Sequence, residues 1–153
     1  MTPEKFCLQL LKNFPFEPTP SQDLWFRSIS EFVILNQPKS VFLLKGYAGT
    51  GKTTLIGSLV KQLKNTGYKA VLLAPTGRAS KVMSIYSDYP SFTIHKQIYY
   101  PKTENSGNTT FQLKSNKHNK TIFIVDEASM IGDQPKNGNL FDNMSLLTDL
   151  IQY

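Results

Sequence analysis

The sequence predicts a layered α/β protein, a mostly parallel sheet sandwiched between helices in three layers around a phosphate-binding loop. Three observations carry this. Short apolar runs alternate with amphipathic stretches, the pattern of strand–helix units. The segment "GYAGTGKTT" separates one such run from one such helix. A later apolar run, "TIFIVDEASM", delivers two acids at its end, and ligands in open parallel sheets gather at the carboxyl ends of the strands.

The elements follow in order. "EKFCLQLLKNF" has helical apolar spacing, and "PFEPTPSQ" with its three prolines ends that helix. "SQDLWFRSISEFVILN" reads as a second helix, with Ser21 as N-cap and Leu24, Trp25, Ile29, Phe32 and Val33 facing inward. "SVFLLKG" reads as a short buried parallel strand and "GKTTLIGSLVKQLKNTG" as a helix closed by Gly67. "KAVLLAPT" is a second buried strand and "GRASKVMSIYS" another helix. Residues 101–120 are polar and weakly patterned, expected to be exposed and mobile, with "TTFQLK" as one strand of a hairpin. "TIFIVDEASM" is the third buried strand, and the tail "NLFDNMSLLTDLIQY" is amphipathic and helical.

The chain has 153 residues, one domain's worth, with 40% apolar and 18% charged residues. No apolar run approaches the roughly 18 residues that cross a bilayer. The N-terminus lacks the pattern of a signal peptide, and the lone Cys7 excludes an internal disulfide. The expectation is a cytoplasmic, reducing location with no membrane partner. The net charge is +6, which permits a polyanionic partner without demanding one. Fifteen of the seventeen cations are lysines, the arginines being Arg27 and Arg78. Lysine suits phosphate positioning and arginine suits bidentate base reading, so nucleic-acid contacts here should be sequence-blind.

Gly46, Gly51, Lys52 and Thr53 satisfy G-x-x-x-x-G-K-[ST] at every fixed position. Glycines allow the backbone to bend and bring N–H groups against phosphate oxygens, and the following helix aims its positive end at the same place. The cofactor-binding set is therefore Gly46, Ala48, Gly49, Thr50, Gly51, Lys52, Thr53 and Thr54, with Lys52 on the β- and γ-phosphates and the Thr53 hydroxyl on Mg²⁺. Asp126 is placed to hold the same Mg²⁺, and Glu127 is a candidate base for an attacking water. Lys52, Asp126 and Glu127 form the catalytic set. A carboxylate directly after the magnesium aspartate suggests hydrolysis, because phosphate transfer to a small acceptor must exclude water.

"PTPSQ", "GYAGTGKTT", "LLAPTGRASKVM", "TIHK" and "IVDEASMI" together resemble superfamily-one DNA helicases, nearest the RecD-like and Dda-like branch. The resemblance runs from about Pro18 to Ile131. It implies a P-loop NTPase of RecA-like fold that uses ATP and Mg²⁺ and travels on single-stranded DNA. Gln22 falls where such proteins read the adenine edge; a glutamine amide donates and accepts at once, as that edge requires. Pro75, Thr76 and Arg78 in "APTGRAS", and Thr93 and His95 in "TIHK", match DNA-backbone contacts. A capped helix start with a solvated arginine, and a structural histidine, are the plain alternatives. Tyr86, Tyr89, Phe92, Tyr99 and Tyr100 could stack on bases, though core packing is the expected use for most of them.

Residues 1–19 then form an N-terminal helix and Pro-rich lead-in, and 20–153 a partial ATP-binding lobe with a polar insertion at about 101–120. The second RecA-like lobe and its arginine fingers are absent from the sequence, so the sheet should be incomplete, with an open slot or altered pairing between the P-loop run and the acid-bearing strand. A different P-loop phosphotransferase, or a non-catalytic nucleotide- or DNA-binding module, is the alternative reading.

Overall fold

The structure, a computed structural model, describes residues 1–37, 39–103, 109–132 and 145–153. The chain divides into two units, residues 1–69 with 86–88, and residues 70–85 with 89–153.

The first unit is helical. Helix α1 spans Pro3–Asn13, opened by the Thr2 side chain accepting from the Lys5 N–H, with a proline in its first turn. Helix α2 spans Pro20–Leu35. Its N-cap is Thr19, not Ser21: the Thr19 hydroxyl accepts from the Gln22 N–H while the Gln22 side chain accepts from the Thr19 N–H. This reciprocal box satisfies two donors that the first turn would leave bare, and Pro20 takes the position that needs no N–H. Helix α3 spans Lys52–Lys64 and gives way to a turn through Asn65 in which Gly67 is left-handed. Phe6, Leu10, Phe26 and Leu63 are wholly buried, each worth about 1.5–3 kcal/mol for leaving water. Trp25, Ile29 and Val33 face inward as expected, but Leu24 is 65% exposed and Phe26 occupies the inward position instead. Phe26 lies one position from Trp25 of the expected stripe, so the buried face is centred slightly to the Phe26 side of the one the pattern suggests. Buried Gln62 ties α3 to α1, its side chain donating to the Gln9 side-chain oxygen at 2.6 Å and accepting from the Asn13 side-chain amide at 3.2 Å.

The run "SVFLLKG" is not a strand. Residues 40–46 join no sheet among the described residues, and Val41 and Leu43 are 78% and 66% exposed. An extended run becomes a strand only when a neighbour supplies the other half of the ladder. The expected slot beside a P-loop strand presupposes that strand, and the described residues form none at 40–46.

The second unit carries the sheet. Strand β1 is Lys69–Ala74, helix α4 Gly77–Ser87, strand β2 Ser91–Thr93 and helix α5 Ile94–Ile98. Strands β3 (Tyr99–Thr103) and β4 (Thr109–Leu113) form an antiparallel hairpin, with Tyr99 opposite Leu113 and Thr103 opposite Thr109. Strand β5 is Thr121–Val125; a 3-10 turn at Ala128–Met130 follows, and helix α6 spans Leu146–Gln152. The sheet order is β2-β1-β5, with β2 parallel to β1. The α/β class with parallel pairing is thus borne out. The first part of the tail, residues 139–144, lies outside the described residues.

The core here gathers Leu73, Ile94, Ile98 and Tyr99, with Phe111, Phe123, Val125, Ile131, Leu146 and Leu150 packed against it. The segment expected to be wholly exposed is therefore only partly so. Alternate residues of β4 face the core, and β5 is half-buried instead of fully buried. Of the five aromatics expected mainly in the core, Tyr99 is buried and Tyr89 half-buried, while Tyr86, Phe92 and Tyr100 are 73%, 39% and 41% exposed. Phe92 is the middle residue of a three-residue strand whose neighbours turn the other way, and Tyr86 rides the solvent side of α4.

Candidate functional site

The loop between residue 46 and α3 is shaped by three glycines. Gly49 and Gly51 take left-handed conformations, φ +78° and +82°, where a side chain is strained. At Gly46 the obstacle is space: a Cβ would lie 2.8 Å from the Thr50 hydroxyl oxygen. That hydroxyl donates to the Tyr47 carbonyl at 2.8 Å and closes the turn through Ala48 and Gly49. Helix α3 begins at Lys52 with no side chain capping it, so Thr53 and Thr54 lie in a first turn whose N–H groups have no side-chain acceptor. The Lys52 ammonium folds back onto the loop and donates to the carbonyls of Gly46 and Tyr47, both at 2.7 Å. Two oxygens of the loop itself thus receive the lysine. A cradle that excludes Cβ atoms, an uncapped helix start and an ammonium already turned into the loop suit phosphate oxygens.

Gln22 reaches the same loop. Its side-chain nitrogen donates to the Thr50 carbonyl at 3.3 Å while its oxygen accepts from Thr19. One amide therefore fastens the start of α2 to the phosphate loop. The capping-box half of this arrangement is written in "TPSQ"; the contact to Thr50 joins residues 28 apart and leaves no local signal.

In the second unit three strand ends come side by side. The Asp126 N–H donates to the Leu73 carbonyl at 3.0 Å, so the end of β5 lies against the end of β1. Ala74 is level with Thr93 across the β1–β2 pair. Pro75, Thr76, Thr93 and Asp126 consequently share one sheet edge. The Thr76 hydroxyl accepts from the Ala79 N–H at 3.2 Å and its carbonyl from the Ser80 N–H at 3.0 Å, starting α4 as the sequence predicts. Arg78 is exposed in that first turn. The Thr93 hydroxyl caps α5 by accepting from the Lys96 N–H at 3.3 Å. His95 is half-buried one turn along, and burial holds its pKa below the ordinary histidine value. Asp126 accepts from the Glu127 N–H at 2.9 Å, and Glu127 is left-handed at φ +53°, an uncommon conformation for a residue with a side chain. The exposed Glu127 carboxylate follows directly on the half-buried Asp126.

Sequence reasoning missed two cations here. Lys96 and Lys114, with Thr93, His95, Tyr100 and Phe111, line an open hollow of about 500 Å³. Lys114 donates to the Lys96 carbonyl at 2.7 Å, and the Lys96 ammonium stands 5.6 Å from the centre of the Phe92 ring. Only the hairpin register brings Lys114 to α5, and nothing local in "QLKSNK" indicates it.

The decisive comparison is with a family model described as AAA domain, which matches residues 32–141. The chain belongs to this AAA domain family. It is also 32% identical over 99 residues to the ATP-dependent DNA helicase dda of Enterobacteria phage T4, covering 63% of this chain and 23% of that protein. It is 37% identical over 68 residues to the ATP-dependent DNA helicase RecG of Mycobacterium bovis, covering 44% of this chain and 9% of that one. A third relative, uncharacterized protein R530 of Acanthamoeba polyphaga mimivirus, is 28% identical over 139 residues, 74% of this chain and 27% of its own. The chain spans about a quarter or less of the curated relatives it matches. No solved structure matches. The resemblance to helicases drawn from the motifs is borne out, and the kinase alternative is not favoured. No helix among the described residues is long and apolar enough to cross a membrane.

Proposed function

We propose that this AAA-family chain is the ATP-binding lobe of an ATP-dependent DNA helicase, in which hydrolysis drives movement along single-stranded DNA. The observation that carries the reading is the glycine cradle with Lys52 turned into it, at the start of an uncapped helix, in a chain whose relatives include named DNA helicases. In this proposal a triphosphate takes over the Lys52 contacts from the Gly46 and Tyr47 carbonyls. The amides of residues 48–54 meet its oxygens, and Gln22, already bonded to Thr50, offers its remaining N–H and lone pair to adenine.

The proposed magnesium ligands are Thr53 and Asp126. Among the described residues no group of three or more His, Cys, Asp or Glu would hold a metal alone. Mg²⁺ keeps waters and takes phosphate oxygens with one or two protein ligands, so these two side chains would suffice beside a triphosphate. Bound there, it would neutralise charge on the triphosphate. Glu127 is proposed to orient the attacking water. Pro75, Thr76, Arg78, Thr93 and His95 are proposed to meet the DNA backbone from the shared sheet edge, joined by Lys96 and Lys114. A second RecA-like lobe supplies the arginine that completes the site, since Arg27 is paired with Asp23 at 2.9 Å on the surface of α2.

The test is ATPase activity of the full-length protein with and without single-stranded DNA, alongside binding of a fluorescent ATP analogue. Lys52→Ala should weaken nucleotide binding by roughly 10- to 100-fold, the worth of a charge-assisted contact. Glu127→Gln should bind normally and hydrolyse at least about 100-fold more slowly. Hydrolysis indifferent to DNA, or phosphate transfer to a small acceptor, would refute the helicase reading.

A further inference from the structure

The hydroxyl of Tyr99 is the unexpected group in the second unit's core. Its side chain is 4% exposed among leucines and isoleucines, where a phenylalanine would fill the same volume without burying an oxygen. The hydroxyl donates to the Asp149 carboxylate at 2.5 Å, fifty residues along the chain on α6. Burial first, and the Asp149 carboxylate second, hold the phenol well above its ordinary pKa, so it stays a donor throughout the working range.

Tyr99 stands at a junction. It caps the end of α5, donating its N–H to the His95 carbonyl, and it begins β3, paired with Leu113. Its ring lies 5.9 Å from the His95 ring. A second polar tie runs beside the first: the Gln97 amide donates to the Tyr153 hydroxyl at 3.2 Å, at the far end of α6. Leu146 and Leu150 of α6 pack on the same cluster as Ile94 and Ile98. Apolar packing alone would let α5 slide or rotate over its neighbours, whereas a hydrogen bond to a carboxylate has one direction and a short length.

We propose that Asp149 is a positioning residue: by accepting the Tyr99 hydroxyl it fixes α5 and the root of the β3–β4 hairpin, so that Thr93, His95 and Lys96 present a set spacing to single-stranded nucleic acid. This rests on the proposed DNA role of the α5 residues. Asp149 itself touches no ligand in this scheme; α6 acts as the brace behind the contact surface.

The experiment uses the full-length protein and the variants Tyr99→Phe, Asp149→Ala and Asp149→Asn. Three quantities are read: affinity for a fluorescein-labelled oligothymidylate at fixed salt, affinity for a fluorescent ATP analogue, and amide hydrogen exchange at residues 94–99. Tyr99→Phe and Asp149→Ala should each weaken oligonucleotide binding by roughly tenfold, the scale of one lost bond to a charged group, with nucleotide affinity within about twofold of the parent. Exchange at residues 94–99 should quicken in both. Asp149→Asn keeps an accepting oxygen and should rescue both readouts. Unchanged oligonucleotide affinity in Tyr99→Phe, an equal loss of oligonucleotide and nucleotide affinity, or an asparagine as damaging as alanine would each overturn the proposal. Should the parent protein bind no oligonucleotide, the DNA reading fails by itself. Exchange then decides the brace: quickening confined to residues 94–99 and reversed by Asp149→Asn upholds it, and no change sinks it.

Discussion

Gly49 and Gly51 differ by 4° in φ and by everything around them, which makes them a matched pair for separating backbone strain from lost contact. Both are left-handed, at φ +78° and +82°. A Cβ at Gly49 meets nothing within 4 Å, while one at Gly51 would sit 3.1 Å from the Gln22 side-chain nitrogen. Alanine at either site meets the left-handed penalty of about 1–2 kcal/mol, offset in small part by a stiffer unfolded chain. At Gly51 the new methyl also pushes Gln22 from the Thr50 carbonyl, which it meets at 3.3 Å, a further ~0.5–1 kcal/mol for one partly exposed hydrogen bond. Gly49→Ala should therefore lower the melting temperature by about 2–8 °C, and Gly51→Ala by roughly half as much again. The assay is thermal unfolding followed by circular dichroism, with Gln22→Ala added to each variant. In that background the two alanines should become equal, because the contact that distinguishes them is gone. If Gly49→Ala proved as damaging as Gly51→Ala with Gln22 in place, the link between Gln22 and the phosphate loop would have no energetic weight.

Two other outcomes follow from the second unit. Thr76→Ala removes the hydroxyl that accepts from Ala79 and should cost about 1 kcal/mol of stability by urea unfolding, with Thr76→Ser restoring most of it. The lowered pKa of His95 gives stability a definite sign with pH. The folded state keeps this ring neutral where the unfolded chain has begun to protonate it. Its contribution is complete above the unfolded value near 6.5 and is lost as pH falls from there through the folded pKa. Melting temperature should drop between pH 7.5 and 5, and His95→Gln should flatten that part of the curve.

What the sequence made legible was whatever depends on near neighbours. Helix α4 begins after Thr76 and ends at Ser87 as expected, because cap, periodicity and helix share one short window. The phosphate loop is legible for the same reason. The start of α2 was misplaced by two residues although "TPSQ" contains both halves of a capping box; Ser21 is an acceptable cap too, and Pro20 settles the matter only once its position as the first helical residue is considered. Strand β2 has three residues, too few for any alternation to register. The exposure of residues 40–46 was illegible for a different reason. "SVFLLKG" has the composition of a buried strand, and whether it becomes one depends on a partner that no local window contains. Lys114 beside Lys96, Asp149 under Tyr99 and Gln22 against Thr50 are products of tertiary register, and in each the sequence separation is too long for pattern reading.

The bare stretch at residues 40–46 has a practical consequence at the bench. Four consecutive apolar residues, Val41 to Leu44, lie in a run that joins no sheet among the described residues, with two of them largely in water. Such a run is a template for intermolecular strand addition, and the flanking Lys39 and Lys45 put positive charge at both its ends to repel a second molecule. Raising salt would mute that repulsion, so concentrated stocks of these 153 residues should cloud sooner in high-salt buffer than in low.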